Sequence, residues 1–201
     1  RNRMELALVA LLTGIGAFLR IYLIEALPPG LHGDEAWTGI DAMRIVKEGW
    51  IGPYVGSALG QPTGPLYFTA LIFKLAGTSL FTVRLSMALL SVAPVPLAYL
   101  LFRMGFSRWV AVFGTLALTF SFWNIHFSRT AFMVISMPLI VSLAALGVLW
   151  AMRSASRWPW LLAGLVLGAG VYSYNGYLMF LAAVAVLLAV HLALHRGRWS
   201  E

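Results

Sequence analysis

Two adjacent carboxylates, Asp34 and Glu35, lie in the first long polar segment of a chain that is otherwise strongly apolar. This segment, residues 28–42, reads PPGLHGDEAWTGIDA and follows a single hydrophobic run. Carboxylates can exchange protons or bind cations. Because charged groups are costly near lipid, those that occur there usually mark function. The acidic pair is therefore the first candidate for chemistry in this sequence.

The composition indicates an integral membrane protein. Of 201 residues, 61% are hydrophobic and 10% are charged, and the mean hydropathy is +0.86. Soluble domains carry about 25% charged residues. The net charge of +7 is dispersed over the ends of apolar runs, a distribution that argues against nucleic acid as a partner. The chain has no cysteine, which excludes disulfides and thiolate chemistry.

Hydrophobic runs predict an all-α membrane protein, since a helix needs about 20 apolar residues to cross the hydrocarbon. Six runs meet this length or approach it, at residues 4–27, 80–102, 109–127, 132–152, 158–174 and 177–194. The run Pro65–Ala76 is shorter and carries Lys74, so it is predicted to be a short interfacial helix. We expect one transmembrane domain over residues 1–201, with an outer loop at residues 28–79.

Basic residues predict the orientation, because short cytoplasmic loops are enriched in Lys and Arg. With six spans, most arginines fall on one face, at both termini and in the loops at residues 103–108 and 153–157. The opposite face holds the acidic residues Asp34, Glu35, Asp41 and Glu48. The sequence therefore predicts cytoplasmic termini and an outer loop at residues 28–79, which would be periplasmic, extracellular or lumenal. We expect the membrane to be the plasma membrane.

The outer loop contains a predicted amphipathic helix over residues 34–50. Apolar residues recur at three-to-four spacing, at Trp37, Ile40, Met43, Val46 and Trp50. Such a helix is expected to lie along the membrane surface. Asp34 stands at its start, where an aspartate can cap free backbone N–H groups.

Four segments resemble the lipid-linked C-type glycosyltransferases, in particular the protein O-mannosyltransferase and aminoarabinose transferase group. They are LHGDEA at residues 31–36, PLYFTALIFKLAG at 65–77, FTVRLSMAL at 81–89 and FSR at 127–129. The resemblance covers most of residues 27–138 and is weaker beyond. It implies a sugar delivered on polyprenyl phosphate at the outer leaflet and transferred to an acceptor with inversion.

The resemblance also implies roles for the acidic pair. Asp34 matches the first acid of the family's pair and would act as the base that deprotonates the acceptor, although capping of the helix explains it equally well. Glu35 would orient the acceptor or help to hold a divalent metal. The competing interpretation, which we favour for Glu35, is a solvated carboxylate in the first helical turn.

Cations near the outer face complete the expected site. Arg129 resembles a family arginine that contacts the lipid phosphate, and Arg84 is a further candidate for substrate binding. For both, the alternative is an arginine that extends its charged end to the lipid headgroups. His32 could join an acceptor site or a metal site, but one histidine beside carboxylates is not a ligand set, and no metal site is predicted.

Departures from the family pattern leave a second function open. Residues 60–64 read GQPTG where some relatives carry an acid and a lysine, so an expected phosphate-binding cation is missing. Six spans are about half the number usual in the family, which indicates either part of a longer enzyme or a shortened relative. The alternative function is thus a non-catalytic accessory subunit that packs with other membrane proteins. A transporter is disfavoured because no predicted span has an ionisable residue buried at its middle.

Overall fold

The computed structural model describes residues 2–57 and 60–194. These residues form ten α-helices, one short 3-10 helix and a two-stranded antiparallel hairpin. In chain order they are α1 Asn2–Ile21, α2 Gly33–Glu48, β1 Tyr54–Val55, β2 Gln61–Pro62, α3 Gly64–Ala76, α4 Leu80–Val92, α5 Pro94–Gly105, α6 Arg108–Phe120, α7 Phe122–Arg129, the 3-10 helix Met133–Ser136, α8 Met137–Met152, α9 Trp158–Gly170 and α10 Tyr177–Leu194. The all-α prediction is confirmed except for the short hairpin.

Within the described residues, four helical segments are long and apolar enough to cross a membrane. They are Arg3–Ile21, Leu80–Gly105, Met133–Met152 and Tyr177–Leu194. The bent pair α6 and α7 would add a fifth. The predicted count of six is not confirmed, because the run at residues 158–174 forms α9, a helix of only 13 residues.

Two predicted spans are interrupted by changes in backbone direction. The first ends at Ile21 rather than at residue 27, and residues 22–27 form turns in which Leu23 adopts a φ of 50°. The third breaks at Ser121, where the chain bends by 40° between α6 and α7. Ser121 caps the new helix by accepting a hydrogen bond from the Asn124 amide on its side-chain oxygen, at 3.4 Å.

The outer-loop segments predicted as helices form α2 and α3 at nearly the expected bounds. Helix α2 turns small and polar residues toward the protein and leaves its apolar stripe exposed, including Trp37 at 46% and Ile40 at 48%. An apolar stripe that faces away from the protein core suits a helix lying on a membrane surface. Its position outside the membrane remains a prediction.

The core beneath α2 joins it to α3, α4 and the segment that follows α7. Its buried members include Ala42, Ile45, Leu66, Ala70, Phe73, Val83, Met87, Ala131, Met133 and Ile135. The hairpin adds Val55, and pairs Tyr54 with Pro62. This packing fixes the amino-terminal end of α2, which carries the acidic pair, relative to α4 and α7.

The opposite end of the bundle gathers the predicted basic loops. The Arg153 guanidinium donates to the Met104 carbonyl at 2.6 Å, so the loops at residues 103–108 and 153–157 lie side by side. Glu5, near the start of α1, joins them through Arg103 and Arg108. We call this region, the start of α1 with these two loops, the basic end. Arg1, Arg196 and Arg198, which the sequence placed on this face, lie outside the described residues.

Candidate functional site

The amino-terminal end of α2 separates the roles of its two acids. His32 is the N-cap residue: its Nδ1 accepts a hydrogen bond from the Asp34 amide at 3.2 Å. Glu35 completes the cap by accepting from the His32 amide at 3.3 Å. The interpretation of Asp34 as the helix cap is therefore wrong, because His32 and Glu35 satisfy the free N–H groups.

The carboxylate of Asp34 is consequently left available. Its side chain is 53% exposed, and the nearest charged or titratable partner in the described residues is His32 Nδ1, 4.0 Å away. The histidine ring in turn packs on Phe132, with ring centroids 4.9 Å apart. Asp34 thus sits on a capped helix end with its oxygens facing open space.

Glu35 is instead buried and bound to Arg84. The Arg84 Nε and Nη2 atoms donate to the two Glu35 oxygens at 2.5 and 3.1 Å, and the paired side chains are 1% and 0% exposed. This fork-to-fork geometry is the strongest form of the arginine–carboxylate contact. The expectation of a solvated Glu35 is wrong, because packing of α2 on α4 removes it from solvent.

Arg84 also binds the linker that connects α1 to α2. Its guanidinium donates to the carbonyls of Ile24, Pro28 and Gly30 at 2.7, 3.1 and 2.8 Å. The turns of this linker leave carbonyls that no helix satisfies, and one guanidinium with five donors meets several of them. Arg84 therefore holds both the linker and Glu35, and through them the start of α2.

Arg129, at the end of α7, binds the same linker from the other side. Its four hydrogen bonds reach main-chain carbonyls, with Leu27 at 2.8 and 3.1 Å, Leu19 at 2.9 Å and Leu23 at 3.2 Å. A cation at the last carbonyls of α1 is also favoured by the helix dipole. Among the described residues no carboxylate pairs with Arg129, and its side chain is partly exposed.

Two clefts open beside the acidic pair and share Phe132. The first, which we call the arginine cleft, has about 350 Å³ and is lined by Glu35, Arg84, His32, His126 and the linker at residues 28–31. The second, which we call the Asp34 cleft, has about 200 Å³ and is lined by Asp34, Thr38, Gln61, Tyr174 and Asn175, among others. Adjacent residues on one helix end thus face two neighbouring spaces.

Beside the Asp34 cleft, two hydrogen bonds join segments that are distant in sequence. The Asn175 side chain donates to the Gly60 carbonyl at 3.1 Å, and the Gly64 amide donates to the Tyr172 carbonyl at 2.9 Å. A Cβ on Gly64 would lie 2.4 Å from the Tyr172 oxygen, so only glycine allows this approach. The turn between α9 and α10 therefore lies at the same end of the bundle as Asp34.

Sequence reasoning missed Gln61 and Arg20. The Gln61 Nε2 is buried beside the Asp34 cleft and has no hydrogen-bond partner among the described residues. Arg20, in the last turn of α1, is fully buried and donates to Ser91 at 2.7 Å, to Asn124 at 2.6 Å and to the Thr119 carbonyl at 3.2 Å. The sequence signal that could have identified Arg20 as buried is a polar residue on each of the helices that face it, Ser91 on α4 and Asn124 on α7.

No group of three or more His, Cys, Asp or Glu side chains in residues 2–57 and 60–194 is arranged to hold a metal ion. Both oxygens of Glu35 are bound by Arg84, which is the arrangement of a structural ion pair. Glu35 is therefore engaged by Arg84 rather than free to help hold a divalent metal.

The helices that are long and apolar enough to span a membrane indicate an integral membrane protein. Its two clefts lined by acidic side chains form a polar site at one end of the helix bundle. A family model described as dolichyl-phosphate-mannose-protein mannosyltransferase matches residues 60–200. This match covers most of the chain, which therefore belongs to that family, and the resemblance to C-type glycosyltransferases is confirmed. The match extends beyond the segments that suggested it and begins after the acidic pair. No curated protein and no solved structure matches the chain.

Proposed function

We propose that this protein transfers a sugar from a polyprenyl-phosphate donor to an acceptor at the outer face of the plasma membrane. In this orientation both termini are cytoplasmic and residues 28–79 are outside, as the arginine distribution favours. Family membership supports the lipid-linked donor. The site must lie near the membrane surface, since such a donor has an apolar tail and a polar head.

The observation that carries the proposal is the different state of the two acids. A general base needs a carboxylate that is free to approach the acceptor hydroxyl and to take its proton. Asp34 meets this requirement, because the cap of α2 is made by its neighbours and its side chain is 53% exposed. Glu35, with both oxygens bound to Arg84, is instead a positioning residue for the helix end on which Asp34 lies.

We assign binding of the donor phosphate to Arg129. The charges of Arg84 and Glu35 cancel within their pair, whereas no ion pair joins Arg129 to a carboxylate among the described residues. A fixed cation stabilises a departing phosphate because the leaving group gains negative charge in the transition state. The hydrogen bonds that Arg129 makes to the end of α1 hold it in place for this role.

Gln61, within residues 60–64, offers a further hydrogen-bonding group beside Asp34. Gln61 lines the Asp34 cleft, and its amide Nε2 is buried without a hydrogen-bond partner in the described residues. A buried donor without a partner is costly, and a bound oxygen would remove that cost. We assign Gln61 to the acceptor or to the sugar rather than to the phosphate, because a neutral amide binds hydroxyl groups without preferring charge.

The test is sugar transfer by the purified chain from a polyprenyl-phosphate mannose donor, with Asp34→Asn compared to Glu48→Gln. Both changes replace an acid by its amide on α2, but Glu48 is exposed and paired with Arg44 at the far end of the helix. We expect Asp34→Asn to abolish transfer and Glu48→Gln to retain it. Unchanged turnover in Asp34→Asn would remove Asp34 from the mechanism.

The same assay separates this proposal from a non-catalytic accessory subunit. An accessory subunit would show no transfer by the wild-type chain alone, and its Asp34→Asn variant would support transfer by the assembled complex as well as the wild type does. An enzyme shows donor-dependent transfer that requires Asp34.

A further inference from the structure

A second charged cluster lies at the basic end, remote from the acidic pair. Glu5 accepts a hydrogen bond from the Tyr99 hydroxyl at 2.8 Å, and its oxygens lie 3.5 Å from Arg103 Nε and 3.6 Å from Arg108 Nε. Glu5 and Ile21 are about 24 Å apart along α1, at 1.5 Å per residue. This cluster is therefore separate from both clefts at the start of α2.

The cluster has more positive charge than its one carboxylate can balance. Arg103 and Arg108 share Glu5, which leaves an excess of one cation. The Arg108 Nε is buried, and within the described part of the chain it has no hydrogen-bond partner. Arg108 also begins α6, whose free amino-terminal N–H groups add partial positive charge. These features favour an anion next to the two arginines.

An apolar cleft of about 370 Å³ adjoins the cluster between α1 and α5. Glu5 and Tyr99 form its polar edge, and its remaining lining consists of Leu6, Val9, Pro96 and Leu100. Leu6 and Leu100 are 69% and 54% exposed, so the cleft opens on the lateral surface of the helix bundle. In a membrane protein such a surface faces the lipid chains.

We propose that this place binds an anionic phospholipid, with its headgroup phosphate at Arg103 and Arg108 and one acyl chain in the cleft. Arginine matches phosphate geometry through paired N–H donors, and the side chains of Arg103 and Arg108, each 35% exposed, can present such donors to a phosphate. The apolar lining selects a lipid over a free phosphate ion, because a soluble anion would leave the cleft unfilled. The proposal is independent of the sugar-transfer reaction, whose candidate residues lie at the other end of α1.

The charge of the surrounding surface supports the choice of an anionic lipid. Besides the two arginines of the cluster, the described residues of the basic end include Arg3, Arg153 and Arg157, and Glu5 is their only acid. Basic residues beside the ends of spanning helices attract anionic lipids in the cytoplasmic leaflet. Arg103 and Arg108 would bind a lipid more specifically than the other basic residues, because their geometry is fixed and an apolar cleft adjoins them.

The experiment is a titration of the purified full chain in detergent with phosphatidylglycerol and phosphatidylcholine, with bound lipids counted by native mass spectrometry. We expect one phosphatidylglycerol to bind at least about tenfold more tightly than phosphatidylcholine, as charge-assisted hydrogen bonds would give. Arg103→Gln with Arg108→Gln should remove this preference. Arg3→Gln with Arg157→Gln, which removes the same charge from the same end, should preserve it.

A gain in affinity provides a second test that does not depend on the stability of the double variant. Glu5→Gln keeps a hydrogen-bond acceptor for Tyr99 but removes the carboxylate that competes with the phosphate. It should tighten phosphatidylglycerol binding severalfold and leave phosphatidylcholine binding unchanged. Equal losses in the two double variants would show general charge attraction and overturn the proposal. Displacement of the lipid by millimolar inorganic phosphate would show a site for free anions and would also overturn it.

Discussion

Replacement of Glu35 by glutamine should destabilise the protein strongly although it changes one atom of the side chain. The variant keeps the size of the side chain but removes the countercharge of Arg84, which is 1% exposed in the pair. Removal of one partner from a buried ion pair costs about 3–5 kcal/mol. Arg84 retains the carbonyls of Ile24, Pro28 and Gly30 as acceptors. These dipoles partly compensate the charge, so we expect a loss of about 3 kcal/mol, near the lower limit.

The measurement is the free energy of unfolding in mixed micelles, from helical signal against denaturing detergent. The matched control is Asp34→Asn, the same chemical change at the neighbouring position. Since Asp34 is 53% exposed and does not cap the helix, its variant should stay within about 0.5 kcal/mol of the wild type. A loss below about 1 kcal/mol for Glu35→Gln would refute the buried pair as the device that holds α2.

A double-mutant cycle tests whether the loss arises from the pair. Glu35→Leu with Arg84→Met removes both charges, so no unpaired ion remains in the interior. We expect the double variant to cost less than the sum of the single variants, with a coupling of about 1–3 kcal/mol. Additive losses would mean that the two side chains stabilise the fold independently.

Three further variants test other contacts. Arg129→Ala should weaken binding of the lipid-linked donor and lower stability by about 1–2 kcal/mol through loss of the hydrogen bonds to the end of α1; unchanged donor affinity would leave Arg129 only as a helix cap. Arg20→Met should cost about 3 kcal/mol in the unfolding assay, because its buried polar partners lose their donor, and a loss under about 1 kcal/mol would contradict that account. Gly170→Ala should cost about 1–3 kcal/mol, since a Cβ would lie 2.1 Å from the ring of Tyr177, whereas Gly164→Ala meets nothing within 4 Å and should be neutral or slightly stabilising. Equal thermal stability of the two glycine variants would contradict the close approach of Gly170 to that ring.

The helices were largely predictable from the sequence because their signals are local. Apolar runs and three-to-four spacing placed α2, α3, α8 and α10 within one or two residues, apart from the 3-10 turn that precedes α8. The ends of α1 and α6 were not predictable in this way. Both ends depend on arginines about a hundred residues away in sequence, which bind the last carbonyls of each helix. Local hydropathy contains no information on such long-range contacts.

The residues of the site were predicted from the sequence, but their separate roles were not. Asp34, Glu35, Arg84 and His32 were all expected near one another, and the structure brings them to the start of α2. The sequence could not show which acid is buried, because that depends on how α2 rotates against α4. The rotation is decided by packing of small residues such as Gly39, whose Cβ position lies 3.4 Å from Val83. Gln61 gave no signal, since a single glutamine in a loop is common.

The arginines at the ends of α1 and α7 impose an order on synthesis in the cell. Arg20 reaches the carbonyls of Leu118 and Thr119, 98 and 99 residues later, and Arg129 returns to Leu19 and Leu27 over 110 and 102 residues. When the ribosome has completed α1, Leu118, Thr119 and Arg129 have not yet been made, so Arg20 must stay hydrated at the bilayer surface. Translation has to reach α7 before α1 can settle to its final depth. Nascent chains arrested before residue 118 should therefore leave position 20 open to water-soluble reagents, and longer chains should protect it.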